Sequence, residues 1–266
     1  MKRAARYGRR LAAIFLVALF APVPAFATCY PVAGLEPRFV PARFDVAAVP
    51  AHHVRIDYVG HSSFEIESHD GVRIVTDYNR YVRPPRVPHI VTMNRAHETH
   101  YTEFIEKDIR HVLRGWDPKG GLARHNLSLK DVRVRNVPTN IQDWGGRLVN
   151  DNSMFVIESA GLCIVHVAHL RHVLSKDQLR DLGRIDIAFV PIDGMWTMSH
   201  QELFEVLGQI KPMLIIPMHF GSPGGVDAFV ARASTMWKVR RHEGPTIELT
   251  FRDLPRKTEV LFLQGY

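Results

Sequence analysis

Four histidines that close apolar, strand-like runs are the feature that most constrains how this chain can fold. The histidines and the runs before them are His97 and His100 after residues 90–93, His169 after residues 162–168, and His219 after residues 213–218. Proteins build fixed metal sites by gathering imidazoles from the ends of separate buried strands. The sequence therefore predicts a strand-rich fold in which at least three strand ends meet.

The rest of the chain alternates predicted strands with predicted helices. Apolar alternation predicts an antiparallel meander of three strands at residues 54–59, 63–67 and 72–76, and further strands recur towards the end of the chain. Strand-rich segments that pass into strand–helix alternation favour two sheets packed face to face, with helices on the outside.

Four helices are expected from capping signals and apolar periodicity. Thr102 can cap a helix that runs to Arg114 with one apolar face. Ser175 and Ser199 each begin a capping box, in which a serine is followed three residues later by Gln or Glu. A further helix is expected near residues 226–234.

Residues 1–27 have the pattern of a secretory signal. A basic start precedes an apolar stretch at residues 11–20, and Ala-Phe-Ala at residues 25–27 offers a cleavage site. An uncleaved N-terminal anchor is the alternative. Cleavage would leave residues 28–52 as an N-terminal extension and residues 53–266 as the main domain. We expect a periplasmic or secreted protein, and the export route, Sec or Tat, stays open.

The overall basic charge belongs largely to the predicted signal. All five of its charged residues are basic, so cleavage lowers the formal charge from +7 to +2, which argues against a nucleic-acid partner. No later stretch approaches the roughly 18 apolar residues of a membrane span, so no membrane contact is expected after cleavage. The two cysteines, Cys29 and Cys163, leave both a disulfide and two thiols open. The oligomeric state is not predicted.

Five short motifs occur in a fixed order along the chain. They are Gly-His-Ser-Ser-Phe at residues 60–64, Thr-Asp-Tyr at 76–78, a strand at 152–158, a histidine-bearing segment at 164–172, and Ile-Pro-Met-His-Phe at 216–220. Together they resemble the motifs of the metallo-β-lactamase superfamily. The resemblance is strongest to its branch of zinc-dependent hydrolases that includes the ascorbate-phosphate lactonases, and it covers residues 54–221.

This resemblance implies an α+β fold, an αββα sandwich of two mixed sheets flanked by helices, with a metal pocket at one strand-end edge. Three positions depart from the superfamily pattern, and residues 136–143, where its remaining first-site histidine would be expected, contain no histidine. Its metal loop is His-x-His-x-Asp-His, and here Arg95 and Thr99 replace the first histidine and the aspartate. His169 replaces the aspartate that bridges two metals.

These departures favour one metal over two. The superfamily offsets two metal ions with two aspartates, whereas this chain has neutral side chains there and an added cation, Arg95. Charges a few Å apart interact by several kcal/mol even at an effective dielectric near 20. We therefore expect one zinc, with other divalent transition metals as alternatives. The expected ligands are His100, His169 and His219 with one water molecule, and His97 as either a fourth ligand or a general base.

The remaining site residues are expected to support these ligands or the substrate. Arg95 would stabilise an anionic group or a developing oxyanion. His61, Asp77 and Thr99 are expected behind the ligands, because ligating imidazoles need an orienting partner.

The resulting hypothesis is an exported, metal-dependent hydrolase that uses a metal-bound hydroxide on a small ester, lactone or phosphoester. The alternative is a metal-free or inactive relative that binds a small anion or acts through interactions, in which the same histidines only form hydrogen bonds.

Overall fold

A computed structural model of the protein describes residues 49–142, 145–146 and 148–264. The predicted signal at residues 1–27, nearly all of the predicted extension, and Cys29 lie outside these residues. The predicted boundaries of both segments therefore remain predictions, and whether Cys29 pairs with Cys163 stays open.

Fourteen strands and three α-helices make up the described chain. The first nine strands are β1 Val54–Gly60, β2 Ser63–Ser68, β3 Arg73–Val75, β4 Ile90–Met93, β5 His111–Arg114, β6 Asn126–Leu129, β7 Val132–Gln142, β8 Leu148–Ser159 and β9 Leu162–His166. They are followed by α1 Lys176–Leu182, β10 Ile187–Pro191, α2 His200–Ile210, β11 Leu214–Met218, α3 Pro223–Ala233, β12 Lys238–Arg241, β13 Thr246–Leu249 and β14 Glu259–Phe262. A short 3₁₀ turn, Phe251–Asp253, precedes β14.

The strands form two mixed sheets. The six-stranded sheet has the order β13-β1-β2-β3-β4-β5, and the eight-stranded sheet has the order β12-β14-β11-β10-β9-β8-β7-β6. The first three strands form the expected antiparallel meander. The strands β9, β10 and β11 run parallel, so their carboxyl ends lie at one edge of the larger sheet.

Two apolar layers hold this architecture together. Between the sheets, Phe64 stacks on Phe189 with ring centroids 4.0 Å apart, and both side chains are fully buried. On the other side of the eight-stranded sheet, residues of the helices such as Leu182 and Leu203 pack against Val165 and its neighbours. The prediction of a two-sheet α+β sandwich is therefore confirmed.

Local signals place the helices that cover the larger sheet. Ser175 and Ser199 both cap their helices with the reciprocal hydrogen bonds of a capping box, as predicted. The predicted helix near residues 226–234 is α3, which begins after Ser222. None of the helices in the described part of the chain is long and apolar enough to cross a bilayer.

The predicted helix from Thr102 to Arg114 is wrong. Residues 101–110 form turns and irregular structure, and His111–Arg114 is strand β5, which pairs in parallel with β4. Ile109 and its apolar neighbours do lie on one buried surface, but that surface covers the outer face of the six-stranded sheet. Tertiary pairing overrides the helical spacing here. The strands β6 and β12 were not predicted.

Candidate metal centre

The ends of three strands bring the four predicted histidines together. His97 and His100 lie on the loop after β4, His169 lies three residues beyond β9, and His219 directly follows β11. One ring nitrogen from each histidine lies within 4.8 Å of those of the other three. The four imidazoles therefore surround a common point, where the carboxyl end of β4 in the six-stranded sheet meets those of β9 and β11 in the eight-stranded sheet.

Several nitrogens at this point lack a hydrogen-bond partner although they are buried. They are Nε2 of His100 and both ring nitrogens of His169 and of His219. Leaving a buried polar atom unsatisfied costs roughly 1–3 kcal/mol, so several such atoms facing one point require an explanation. A cation at this point would satisfy one nitrogen of each ring, because each histidine offers it one ligand atom.

Asp77 holds the ring of His100. The Nδ1 atom of His100 donates to Oδ2 of Asp77, and both side chains are fully buried. Burial by itself would raise the pKa of Asp77, but the imidazoles of His100 and His166 and the hydrogen bonds to it hold that pKa well below its usual range. Asn94 donates to the other carboxylate oxygen at 3.1 Å. His100 therefore presents Nε2 to the centre.

Asp193 plays the corresponding part for His219. Its Oδ1 atom lies 3.2 Å from Nδ1 of His219, at ion-pair distance although outside good hydrogen-bond geometry. Its Oδ2 atom accepts hydrogen bonds from the backbone amides of Met195, Trp196 and Thr197. One buried carboxylate thus joins a candidate ligand to the loop at residues 194–197.

Thr99 holds the ring of His97. Its Oγ1 atom lies 2.8 Å from Nδ1 of His97 and 3.0 Å from Nε2 of His61. The His61 ring in turn lies over His219, with centroids 4.2 Å apart. His97 therefore has its Nδ1 side occupied, as His100 and His219 do, which leaves Nε2 for the centre. Unlike the other three candidate ligands, His97 is exposed.

His169 stands apart because no side chain holds its ring. Its backbone amide donates to Oδ1 of Asn152 at 3.1 Å, which fixes the main chain only. Burial, together with the neighbouring imidazoles of His100 and His219, lowers the pKa of His169 to about 2. Burial likewise lowers the pKa of His97 to about 4 and that of His61 to about 3. These rings are neutral at physiological pH, which is the form that binds metal.

Arg95 lies at the start of the loop that carries His97 and His100, and its side chain is largely exposed. Its side chain is 53% exposed, and Nη1 is 4.0 Å from a carboxylate oxygen of Asp151. The backbone amide of Arg95 donates to the Asp151 carbonyl at 3.0 Å, which anchors the start of the loop. This geometry leaves the guanidinium accessible to an anionic group from solvent.

The backbone around the centre is unusual. His61, Asp77, Ala168 and His219 all have left-handed backbone conformations, with φ values of 51°, 44°, 56° and 51°. Such conformations are uncommon for residues other than glycine and cluster at functional sites. The turns that aim these residues at one point therefore carry backbone strain.

The donor set suits a divalent transition metal. Imidazole nitrogens favour zinc, copper, iron and nickel, and orienting carboxylates behind ligating histidines are typical of such sites. The structure brings together the predicted ligands and the predicted supporting residues His61, Asp77 and Thr99. Sequence reasoning missed Asp193, Asn94 and Asn152. The one available signal was that Asp193, like the histidines, follows an apolar strand, here β10 and Ile192.

A two-sheet sandwich with a histidine centre at the carboxyl ends of its strands defines a protein of the metallo-β-lactamase type. Residues 55–219 match the family described as the beta-lactamase superfamily domain, and the chain belongs to that family.

Relatives and solved structures agree with this assignment. A UPF0173 metal-dependent hydrolase of Methanoculleus marisnigri is 24% identical over 212 residues, which are 74% of this chain and 90% of the relative. A UPF0173 protein of Pyrococcus abyssi is 38% identical over 199 residues, 66% of this chain and 87% of the relative. A Thermotoga maritima structure described as a candidate Zn-dependent hydrolase of the metallo-β-lactamase superfamily has a TM-score of 0.62 at 26% identity, and covers 80% of this chain and 100% of its own.

The predicted family is therefore confirmed, and the names of these relatives agree with the prediction of a metal-dependent hydrolase. Other solved structures share the fold alone. One is a diiron β-hydroxylase of Streptomyces venezuelae, with a TM-score of 0.56 at 12% identity over 74% of this chain and 54% of its own.

Proposed function

We propose that this protein is an exported hydrolase that uses one divalent metal, most simply zinc, to cleave a small ester, lactone or phosphoester. The observation that carries the proposal is the convergence of four imidazoles within a family whose relatives are named metal-dependent hydrolases. Two of the rings are hydrogen-bonded through Nδ1, and a third has Nδ1 at ion-pair distance from Asp193. A divalent metal bound there would supply Lewis acidity and would lower the pKa of a coordinated water molecule.

Charge balance favours one metal. The carboxylates of Asp77 and Asp193 lie directly behind His100 and His219, and together they offset the two charges of a single divalent cation. No carboxylate belongs to the four-histidine group itself. A second cation would add two uncompensated charges beside the first, at about 4 kcal/mol per pair of unit charges 4 Å apart and an effective dielectric of 20.

The surroundings of the centre suggest a substrate with both an anionic and an apolar part. Arg95, two residues before His97 on the same loop, offers an accessible guanidinium, which suits a carboxylate or phosphate oxygen. The loop anchored by Asp193 presents Met195 and Trp196, whose residues are 71% and 63% exposed. Arg171 fixes this loop by donating to the Trp196 carbonyl at 3.0 Å. An exposed tryptophan on a fixed loop suits contact with an apolar group of the substrate.

Metal analysis tests the proposal most directly. The mature protein is purified, refolded with and without zinc, freed of excess metal and measured for zinc per chain. It is then assayed on aryl esters, lactones and phosphoesters. We expect about one zinc per chain, together with hydrolysis that a chelator abolishes and zinc restores. A chain that holds no metal after zinc-supplemented refolding would instead support the metal-free anion-binding alternative.

His172→Ala is a matched control for these measurements. This histidine lies on the same loop as His169, but its Nε2 atom accepts from the Asn140 amide at 3.1 Å and it is not part of the four-histidine group. The variant should keep both zinc and activity. Export is tested separately by fractionating cells that express the full chain, and an uncleaved protein in the cytoplasm would contradict it.

A further inference from the structure

The hydroxyl group of Thr99 lies between two imidazole nitrogens. Its Oγ1 atom is 2.8 Å from Nδ1 of His97 and 3.0 Å from Nε2 of His61. No further hydrogen-bond partner of this hydroxyl is found in the described part of the chain. A hydroxyl carries one proton to donate, so it donates to one ring and accepts an N–H from the other.

This arrangement couples the tautomers of the two rings. If His97 carries its proton on Nδ1, it donates to Thr99, and the threonine proton then points to Nε2 of His61. His61 must in that case carry its own proton on Nδ1. The opposite arrangement reverses the direction of both hydrogen bonds. It places the His97 proton on Nε2, the nitrogen that faces the other three histidines.

Only the first arrangement is compatible with a metal at the centre, because a ligating nitrogen must have a free lone pair. We propose that Thr99 is a positioning residue that fixes His97 in its metal-binding tautomer, and that His61 completes the fixation as the acceptor of the threonine proton. The inference about metal binding rests on the proposed function, whereas the coupling of the two tautomers does not.

Thr99 thereby orients its histidine with a neutral hydroxyl, whereas Asp77 and Asp193 orient theirs with carboxylates. A hydroxyl adds no negative charge to the centre and polarises the imidazole less than a carboxylate does. His97 is therefore the most weakly supported of the three held ligands, and it is also the exposed one.

Two variants separate the hydroxyl from the shape of the side chain. Thr99→Val keeps the branched shape and removes both hydrogen bonds, while Thr99→Ser keeps the hydroxyl. Loss of an orienting partner typically lowers metal affinity by about 10–100-fold. We expect that loss for zinc in Thr99→Val, measured by competition with a chromophoric chelator, and a change of less than about 3-fold in Thr99→Ser. Cobalt-substituted Thr99→Val should also have an altered visible spectrum. Equal zinc affinities for wild type and Thr99→Val would overturn the proposal.

Nitrogen NMR of the wild-type imidazoles provides a second test that does not depend on any variant folding. In the zinc-loaded protein we expect a protonated Nδ1 and an unprotonated Nε2 at His61. A His61 proton on Nε2 in that state would refute the proposed relay. In the metal-free protein, one and not both of His97 Nδ1 and His61 Nε2 should be protonated. That measurement tests the tautomer coupling alone. A wild type that binds no zinc would contradict the proposed function but not the coupling.

Discussion

Removing the imidazole of His169 is the most informative perturbation of the centre. By the sequence resemblance, this ring takes the place of the superfamily's metal-bridging aspartate. It is only 5% exposed, and neither of its nitrogens has a hydrogen-bond partner. His169→Ala therefore removes a candidate ligand without leaving a buried partner group unsatisfied. We expect the metal-free variant to fold.

The expected loss of affinity follows from the number of ligands. Structural zinc sites with four ligands bind with about 10–16 kcal/mol near pH 7, or roughly 2.5–4 kcal/mol for each ligand on average. Because each 1.4 kcal/mol corresponds to a tenfold change, His169→Ala should weaken zinc binding by about 10²–10³-fold. The three remaining imidazoles, with Asp77 and Asp193 behind two of them, should still hold some zinc at high concentration.

Competition against chelators of graded affinity measures this change, with circular dichroism to show that the variant is folded. The control is His172→Ala, whose zinc affinity should match that of wild type. If folded His169→Ala binds zinc as tightly as wild type, the four-histidine centre is not the metal site.

Three further predictions follow. Arg95→His, Thr99→Asp and His169→Asp together restore the superfamily residues at these three positions, including both carboxylates, so zinc content should rise towards two per chain by elemental analysis. The free energy of unfolding of the metal-free protein should fall as the pH drops from 6.5 to 4, because the unfolded chain takes up a proton that His169, with a folded-state pKa of about 2, does not. The slope should be up to about 1.4 kcal/mol per pH unit for this group and smaller in His169→Ala. Trp196→Ala should raise KM for substrates with an apolar group several-fold and leave zinc content unchanged.

Each of these predictions has an outcome that contradicts it. A triple variant that is folded but still holds one zinc would show that charge does not limit the stoichiometry. If the free energy of unfolding, measured by urea titration, has the same slope against pH in wild type and His169→Ala, the proton uptake occurs at another group. An unchanged KM in Trp196→Ala, with a parallel loss of kcat, would indicate that the tryptophan supports the loop rather than the substrate.

Features encoded by neighbouring residues could be predicted from the sequence. The helices after Ser175 and Ser199 begin with hydrogen bonds between residues three apart, so the capping boxes alone identify them. The four histidines could be found because each closes an apolar run whose type and position are readable from the chain.

Features that depend on distant pairing could not be predicted in this way. Residues 111–114 have helical spacing with the apolar residues before them, yet hydrogen bonds to β4 make them a strand. Asp193 was missed for a similar reason. Its position after an apolar run is readable from the sequence, but the pairing of the parallel strands β10 and β11, which places its carboxylate beside the ring of His219, is not.

The residues with left-handed backbone around the centre limit how many destabilising mutations the protein can accept during evolution. Each such non-glycine residue costs about 1–3 kcal/mol of conformational energy, which is comparable to the effect of one ordinary destabilising mutation. Ala168 contributes no functional group to the centre, so Ala168→Gly would relieve its share of that energy without altering a candidate ligand. A chain carrying that glycine would have a larger free energy of unfolding. It could therefore accept destabilising loop substitutions that change substrate preference and still remain folded.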